Sequence, residues 1–197
     1  MKRYLLFITV LFLTSVHAQE WTLKKDRNGI KVFTRKLKSS KFREYKVVMQ
    51  VKTTADKALA TILDGDNLWK WNYKTSKSKT VKKISSHKRI IWMKNDFNWP
   101  VLNRDNVSLL TVFENVNGSY RITIAPETSY KVSKEKNVIR VTNFKGYWFI
   151  NPKGNHVEIT HQIYGDPKGR LPSWVLNSVL TAAPYYSFKN LKRLLEN

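Results

Sequence analysis

The sequence predicts an α+β domain in which a curved antiparallel β-sheet wraps around a long C-terminal helix. Three observations lead to this prediction. Apolar and polar residues alternate along several stretches between residues 29 and 163, which is typical of half-buried antiparallel strands. Residues 53–66 have helical spacing instead, and so do residues 172–197 at the end of the chain. Such a sheet leaves an internal hydrophobic space beneath the helix unless large side chains fill it.

The first two strands are predicted at residues 29–37 and 42–51, followed by a short helix. Thr53 or Thr54 is expected to cap this helix and Gly65 to end it. Two apolar faces follow from the spacing. They comprise Tyr45, Val47, Met49 and Val51 in the second strand, and Ala58, Leu59, Ile62 and Leu63 in the helix.

The next segment is predicted to be a hairpin with a basic outer side. Between Asn67 and Asn95 the chain has nine lysines and arginines and no carboxylate. Alternation then indicates four further strands. Their alternating residues are Val107, Leu109, Thr111 and Phe113; Tyr120, Ile122 and Ile124; Ile139 and Val141; and Val157, Ile159, His161 and Ile163.

The closing segment is predicted to be a helix with one side to bury, which excludes a membrane-spanning role for it. The face that is expected to cover the interior carries Leu176, Leu180, Ala183, Leu191 and Leu194. Pro184 interrupts backbone hydrogen bonding midway, so we expect a kink or two halves that move separately.

Residues 1–18 have the features of a secretory signal peptide. Lys2 and Arg3 precede an apolar run from Tyr4 to Leu13, and small residues are spaced for cleavage after Ala18. The apolar run is shorter than the roughly 20 residues of a spanning helix. We therefore predict a soluble exported protein, periplasmic or secreted, with one domain at residues 19–197.

The composition points to an anionic partner. The formal charge is +22, and cleavage of the signal would remove two cations and leave +20. Of the 36 cations, 26 are lysines, whereas nucleic-acid readers favour the forked arginine. We expect a transient anionic membrane partner, no nucleic acid and a monomeric state. The chain has no cysteine, which excludes disulfides and thiolate chemistry.

No catalytic or cofactor motif is present in the sequence, and we predict neither a metal site nor a cofactor. His161 lies on the apolar face of its strand, where it is either a buried core residue or a polar contact for a ligand. Arg104 and Asp105 are neighbours that must point to opposite faces of a strand. Either one is buried with a distant partner and the other is wet, or both lie at the sheet edge.

Several segments, in order and over nearly the whole chain, resemble the START (steroidogenic-acute-regulatory-related lipid transfer) domains of the helix-grip, SRPBCC-like superfamily, and in particular secreted bacterial members. The NWPVLNRDNV segment resembles the family signature Trp-Pro-x-x-x-Arg-Asp-x-Val. The other segments that carry the resemblance are Trp21-x-Leu23, GIKVFTR, FREYK, Leu63-Asp64, Val138-Ile139-Arg140-Val141, Gly146-Tyr147-Trp148, YGDPKGRLPSWVLN, Pro184 and NLKRLL.

The resemblance implies a helix-grip fold that encloses a tunnel for one lipid-like molecule, with the C-terminal helix as its lid. It also places Trp99, Arg104, Trp148 and Trp174 near the tunnel or its lid. Leu110 stands where some sterol-binding members have a second arginine, so recognition of sterols by that arginine is not expected.

We therefore predict a protein that binds, and transfers, a single lipid or other hydrophobic ligand in an internal cavity. The ligand-binding candidates are Trp99, Arg104, Arg140, Trp148, His161, Trp174, Leu176 and Leu180. The polar end of the ligand would be held by Arg104, Arg140 or His161, and the sequence leaves open which of the three faces the cavity. Two alternatives remain: a cavity enzyme of the cyclase or hydrolase type, with His161 as acid/base, and a cavity-free domain that binds partners through its basic hairpin.

Overall fold

The computed structural model of the protein describes residues 20–37, 40–169 and 171–197. The predicted signal peptide, residues 1–18, lies outside these residues. Among the described residues no helix combines the length and the apolar character that crossing a membrane requires.

Within the described residues, ten strands form a single sheet. They are β1 (Thr22–Arg27), β2 (Ile30–Leu37), β3 (Ser40–Val51), β4 (Thr75–Ser85), β5 (Lys88–Asn95), β6 (Asn103–Glu114), β7 (Tyr120–Pro126), β8 (Val138–Val141), β9 (Phe144–Lys153) and β10 (His156–Gly165). The helical elements are α1 (Ala55–Leu63), a 3-10 turn (Leu68–Lys70), α2 (Ser173–Asn177), a π segment (Ser178–Ala182) and α3 (Ala183–Glu196).

The predicted fold class is confirmed: an antiparallel sheet packs against the long C-terminal helix. The strand order is β1-β2-β3-β10-β9-β7-β6-β5-β4, and all pairs along this path are antiparallel. Strand β8 lies off the path and pairs in parallel with the first residues of β6. Two strands were not predicted: β1, whose residues are mostly charged and exposed, and β9.

The core lies between α3 and one face of the sheet, which we call the inner face. Phe188, Leu191 and Leu195 of α3 are at most 1% exposed. They share one core cluster with inner-face residues of the sheet, among them Val32, Val47, Met49, Ile150 and Ile159. The α1 helix begins as predicted, with the Thr54 hydroxyl accepting a hydrogen bond from the Lys57 amide at 3.2 Å.

The predicted alternation holds for β10 but not for β6. In β10, Val157, Ile159 and His161 are buried on the inner face. In β6 the residues in the core cluster are Leu110 and Val112, which belong to the opposite alternation from the one predicted. The prediction was wrong because β6 is buried on both faces near Val107, where residues 126–142 line the outer face, and the sequence therefore shows no single apolar side.

The predicted apolar face of the closing helix is also wrong at its end. Leu194 is 42% exposed, whereas Leu195 is 1% exposed. A π turn takes up more residues than an α turn, so it shifts the phase of every residue after it. The π segment at Ser178–Ala182 therefore rotates the buried stripe of α3 relative to a continuous α-helix, and this shift has no signature in hydrophobic periodicity.

Candidate functional site

A cavity of about 320 Å³ lies at the end of the inner face where α2 begins. Its walls come from the loop before β6, from β6 and β8, and from the connection between β10 and α2. The lining residues are Pro100, Val101, Leu102, Arg104, Ile139, Gly169 and Pro172. Ligand pockets in proteins span about 300–1,000 Å³, so this volume is at the lower end of that range.

Arg104 is the charged residue of this cavity wall. It lies an even number of residues from Leu110 and Val112 along β6 and therefore points, like them, to the inner face. Its register partner in β8 is the lining residue Ile139. The residue is 5% exposed. Burial lowers the pKa of its guanidinium, because the charged form loses hydration.

The partners of the Arg104 guanidinium are neutral. Its Nη2 donates to the carbonyl of Lys168 at 3.2 Å, its Nε approaches the carbonyl of Pro167 at 3.5 Å, and its Nη1 donates to the carbonyl of Leu102. No ion pair joins Arg104 to a carboxylate of the described residues. A buried guanidinium beside an apolar cavity, without a counter-charge, is suited to an anionic ligand group.

Arg140 occupies the other face of the sheet. Its Nε and Nη2 both contact the Asp105 carboxylate at 2.7 Å, and Asp105 also accepts a hydrogen bond from the Trp92 indole at 2.9 Å. Asp105 follows Arg104 on β6, so the pair points away from the cavity. Neither predicted arrangement of Arg104 and Asp105 holds, because both residues are buried inside the sheet and each has its own partners.

His161 lies under α3 in a group of stacked aromatic rings. Its imidazole stacks on Trp148 with centroids 3.9 Å apart, and Trp148 stacks in turn on Phe188 at 5.5 Å. The Tyr45 hydroxyl lies 3.4 Å from His161 Nδ1, and Nε2 is buried without a hydrogen-bond partner. Burial lowers the pKa of the His161 imidazole to about 3, so the ring is neutral at physiological pH.

The remaining candidates surround the cavity or belong to the helix that covers the inner face. Trp99 precedes the lining residue Pro100 and is 91% exposed, and Trp174 follows Pro172 by two residues and is 57% exposed. Leu176 and Leu180 are half-buried. Of the eight predicted ligand-binding residues, Arg104 is therefore the one that lines this cavity, and the structure places Trp148 and His161 under α3.

The C-terminal helix consists of two differently anchored parts. In α3, the Ser187 hydroxyl accepts a hydrogen bond from the Tyr73 amide at 2.9 Å, Asn190 donates to the Trp71 carbonyl at 3.3 Å, and Tyr185 is buried. In α2 and the π segment, Val175 is the one buried residue among the side chains that the structure describes. The predicted break near Pro184 therefore coincides with a change from mostly half-buried side chains to a face of buried ones.

Sequence reasoning missed six of the seven lining residues, namely Pro100, Val101, Leu102, Ile139, Gly169 and Pro172. The loop residues had a usable signal, because an apolar Pro-Val-Leu stretch directly precedes the charged start of β6. Gly169 has a φ of +71°, which favours glycine, and a Cβ there would lie 3.8 Å from Arg104 Nη2. Ile139 was assigned to a strand, but only the register of β8 with β6 brings it beside Arg104.

The fold defines a helix-grip domain, and the cavity lies between its sheet and the start of α2. Residues 11–197 match the START domain family, and the chain belongs to this family. It is 31% identical to an uncharacterized protein of Pseudomonas aeruginosa, an alignment that covers 91% of this chain and 88% of that protein.

Among the solved structures that are similar over most of the chain are a bacterial and a human protein. The STAR-related lipid transfer protein of Xanthomonas axonopodis has 28% sequence identity and a TM-score of 0.82, with 90% of this chain and 99% of that chain covered. Human StAR-related lipid transfer protein 5 has 16% identity and a TM-score of 0.77, with 89% and 86% covered, a likeness of fold alone.

The buried imidazole predicts a specific dependence of stability on pH. The unfolded chain binds a proton at His161 with a pKa of about 6.5, and the folded protein does so only near pH 3. The contribution of His161 is therefore fully present above about pH 6.5 and is lost as the pH falls toward 3, by roughly 1.4 kcal/mol per pH unit.

Urea unfolding of the wild type and of a His161→Phe variant checks this prediction. Phe keeps an aromatic ring against Trp148 but cannot bind a proton. We expect the free energy of unfolding of the wild type, relative to the variant, to decrease by about 2 kcal/mol between roughly pH 6.5 and pH 5. A difference that stays constant over this interval would show that the imidazole is hydrated.

Proposed function

We propose that this protein binds one lipid-like molecule between the inner face of the sheet and the C-terminal helix, and that it transfers this molecule between membranes. The observation that carries the proposal is the apolar cavity at the α2 end with Arg104 in its wall. Membership of the START domain family supports the lipid class of the ligand.

The energetic basis of carriage is the removal of apolar surface from water. Transfer of a methylene group into an apolar interior contributes about 0.8 kcal/mol, so an acyl chain is stabilised by the sum over its length. Val101, Leu102 and Ile139 offer such an interior at the cavity. The Arg104 guanidinium would then bind an anionic phosphate or carboxylate group, for which it has donors in a planar fork.

Loading would require movement of the helix that covers the inner face. The π segment lies against β2 and β3, and α2 contributes one described residue, Val175, to the buried set. The α3 helix carries the aromatic and leucine residues of the core. We therefore propose that α2 and the π segment move as the lid, while α3 remains packed on the sheet.

The enzyme alternative receives no support from the surroundings of His161. The groups found against its ring are Tyr45, Trp148 and Phe188, and no carboxylate among the described residues contacts it. A general acid/base of neutral pH would need a pKa near that pH, whereas burial lowers the pKa of His161 to about 3.

Binding of a fluorescent fatty acid tests the carrier proposal. We expect the wild type to bind one molecule, and an Arg104→Gln variant to bind it about ten- to a hundredfold more weakly because a charge-assisted contact is lost. The methyl ester of the same fatty acid has no anionic group, so its affinity should be similar for both proteins. Arg121→Gln, on the outer face where Arg121 stacks on Tyr147, is the matched control.

Circular dichroism of Arg104→Gln establishes that the variant is folded before the affinities are compared. A wild-type protein that takes up neither probe, and from which organic solvent extracts no lipid, would refute the proposal. It would favour the alternative of a basic interaction domain.

We further propose that the protein is exported and meets an anionic membrane through the basic hairpin, which comprises β4 and β5. Residues 1–18 support export. Four lysines of the hairpin are exposed and lack an ion-pair partner among the described residues, namely Lys79, Lys82, Lys83 and Lys88. Cations near an anionic bilayer contribute about 1 kcal/mol each, and salt screens this attraction.

Sedimentation with vesicles of phosphatidylcholine, with and without phosphatidylglycerol, tests the membrane proposal. We expect binding to need phosphatidylglycerol and to weaken with added salt. Changing Lys79, Lys83 and Lys88 to Gln should reduce binding more than the same change at three exposed lysines elsewhere, Lys131, Lys145 and Lys153. Equal losses from the two triple variants would contradict docking by the hairpin, and binding that is indifferent to salt would contradict the electrostatic attraction.

A further inference from the structure

Three polar side chains interrupt the apolar inner face beside the stacked aromatic rings. Thr34 of β2 is paired in register with Tyr45 of β3, and Tyr45 contacts His161 of β10. Thr34 is 2% exposed and His161 is 8% exposed. These residues lie on three adjacent strands of the inner face, and we call them the inner polar group.

Two atoms of the inner polar group have no partner. Thr34 Oγ1 and His161 Nε2 are buried, and neither makes a hydrogen bond. Buried side-chain polar atoms in folded proteins are almost always hydrogen-bonded, because an unpaired one has lost its water without compensation. Two such atoms on one face, in a family of ligand-binding domains, indicate that a further molecule completes the bonding.

The inner polar group is electrically neutral. The pKa of the His161 imidazole is lowered and that of the Tyr45 hydroxyl is raised, in both cases by burial, so neither group is charged at physiological pH. No carboxylate or cation of the described residues is hydrogen-bonded to Thr34, Tyr45 or His161. A neutral site of this kind suits an uncharged hydrogen-bonding group, and an anion would remain uncompensated there.

A hydroxyl group fits this site better than a carbonyl. The unpartnered Nε2 is a donor in one imidazole tautomer and an acceptor in the other, whereas a hydroxyl both donates and accepts. The Thr34 hydroxyl also has both capacities. A ligand hydroxyl can therefore hydrogen-bond to His161 Nε2 in either tautomer of the imidazole.

Both the π segment and α3 of the C-terminal helix lie over these strands. The π segment contacts β2 and β3, which carry Thr34 and Tyr45, and none of its described side chains is buried. Displacement of the π segment would uncover part of β2 and β3 while Phe188 of α3 stays packed on Trp148 beside His161.

The inner polar group is far from Arg104. His161 is in register with Trp148, Trp148 with Ile122, and Ile122 with Val112 of β6. Val112 is eight residues from Arg104 along β6, which corresponds to roughly 26 Å in an extended strand. One small head group cannot contact both sites, so the two sites recognise different parts of a ligand.

We propose that the inner polar group, Thr34, Tyr45 and His161, is a binding subsite for an un-ionised hydroxyl group on the lipid-like ligand. The inference rests on the proposed function and adds the chemical class of the ligand: an amphiphile with a neutral hydroxyl away from any anionic end. Thr34 and His161 supply the hydrogen bonds, and the Tyr45 hydroxyl orients the His161 ring through Nδ1.

The test uses 1-dodecanol and dodecane, two probes that differ by one hydroxyl, in competition with the fluorescent fatty acid. For each probe the affinity of a variant is divided by that of the wild type, so that the different water solubilities of the probes cancel. We expect His161→Phe to weaken 1-dodecanol binding about tenfold and to leave dodecane binding within about twofold. Thr34→Val should act in the same direction.

Thr160→Val is the matched control, because Thr160 neighbours His161 on β10 and points to the opposite face. It should change the affinity for neither probe. His161→Phe is expected to fold, since it removes an unpaired polar atom and keeps the aromatic stack. Equal losses for the alcohol and the alkane, or no loss for either, would overturn the subsite. If the wild type binds neither these probes nor the fatty acid, the proposed function itself fails.

Discussion

The structure depends above all on the packing of α3 against the inner face of the sheet. Phe188 lies on Trp148, Trp148 lies on His161, and Leu191 and Leu195 complete the contact at almost no exposure. Burial of each such side chain contributes about 1.5–3 kcal/mol. The cavity of about 320 Å³ lies at the other end of the inner face, where α2 begins.

A second interaction, on the outer face of the sheet, positions residues of the cavity wall on the inner face. The Asp105–Arg140 ion pair joins β6 to β8 on the outer face, with both contacts at 2.7 Å. Since side chains alternate along both strands, the same pairing brings Arg104 and Ile139 together on the inner face. Arg140 thus forms an ion pair with a carboxylate, whereas Arg104 donates to backbone carbonyl groups beside the apolar cavity.

Much of the fold was predictable from the sequence, and the exceptions have identifiable physical causes. Strand β10 has one buried face, so its alternation placed Ile159 and His161 correctly. The alternation of apolar residues predicted the wrong core-facing side of β6, because this strand is buried on both faces near Val107. Helical spacing placed Leu194 wrongly on the buried face, because the π segment shifts the helical phase of the residues after it. The choice between Arg104 and Arg140 depended on the register of a four-residue strand, which no local pattern specifies.

The central claim is that the C-terminal helix opens at its π segment while α3 stays packed. Amide hydrogen exchange followed by mass spectrometry, with anionic vesicles present and absent, tests this claim most directly. We expect fast exchange in residues 174–182 that increases with vesicles, and slow exchange in residues 185–195 under both conditions. Equal protection of the two parts, unchanged by vesicles, would contradict a lid that moves separately from α3.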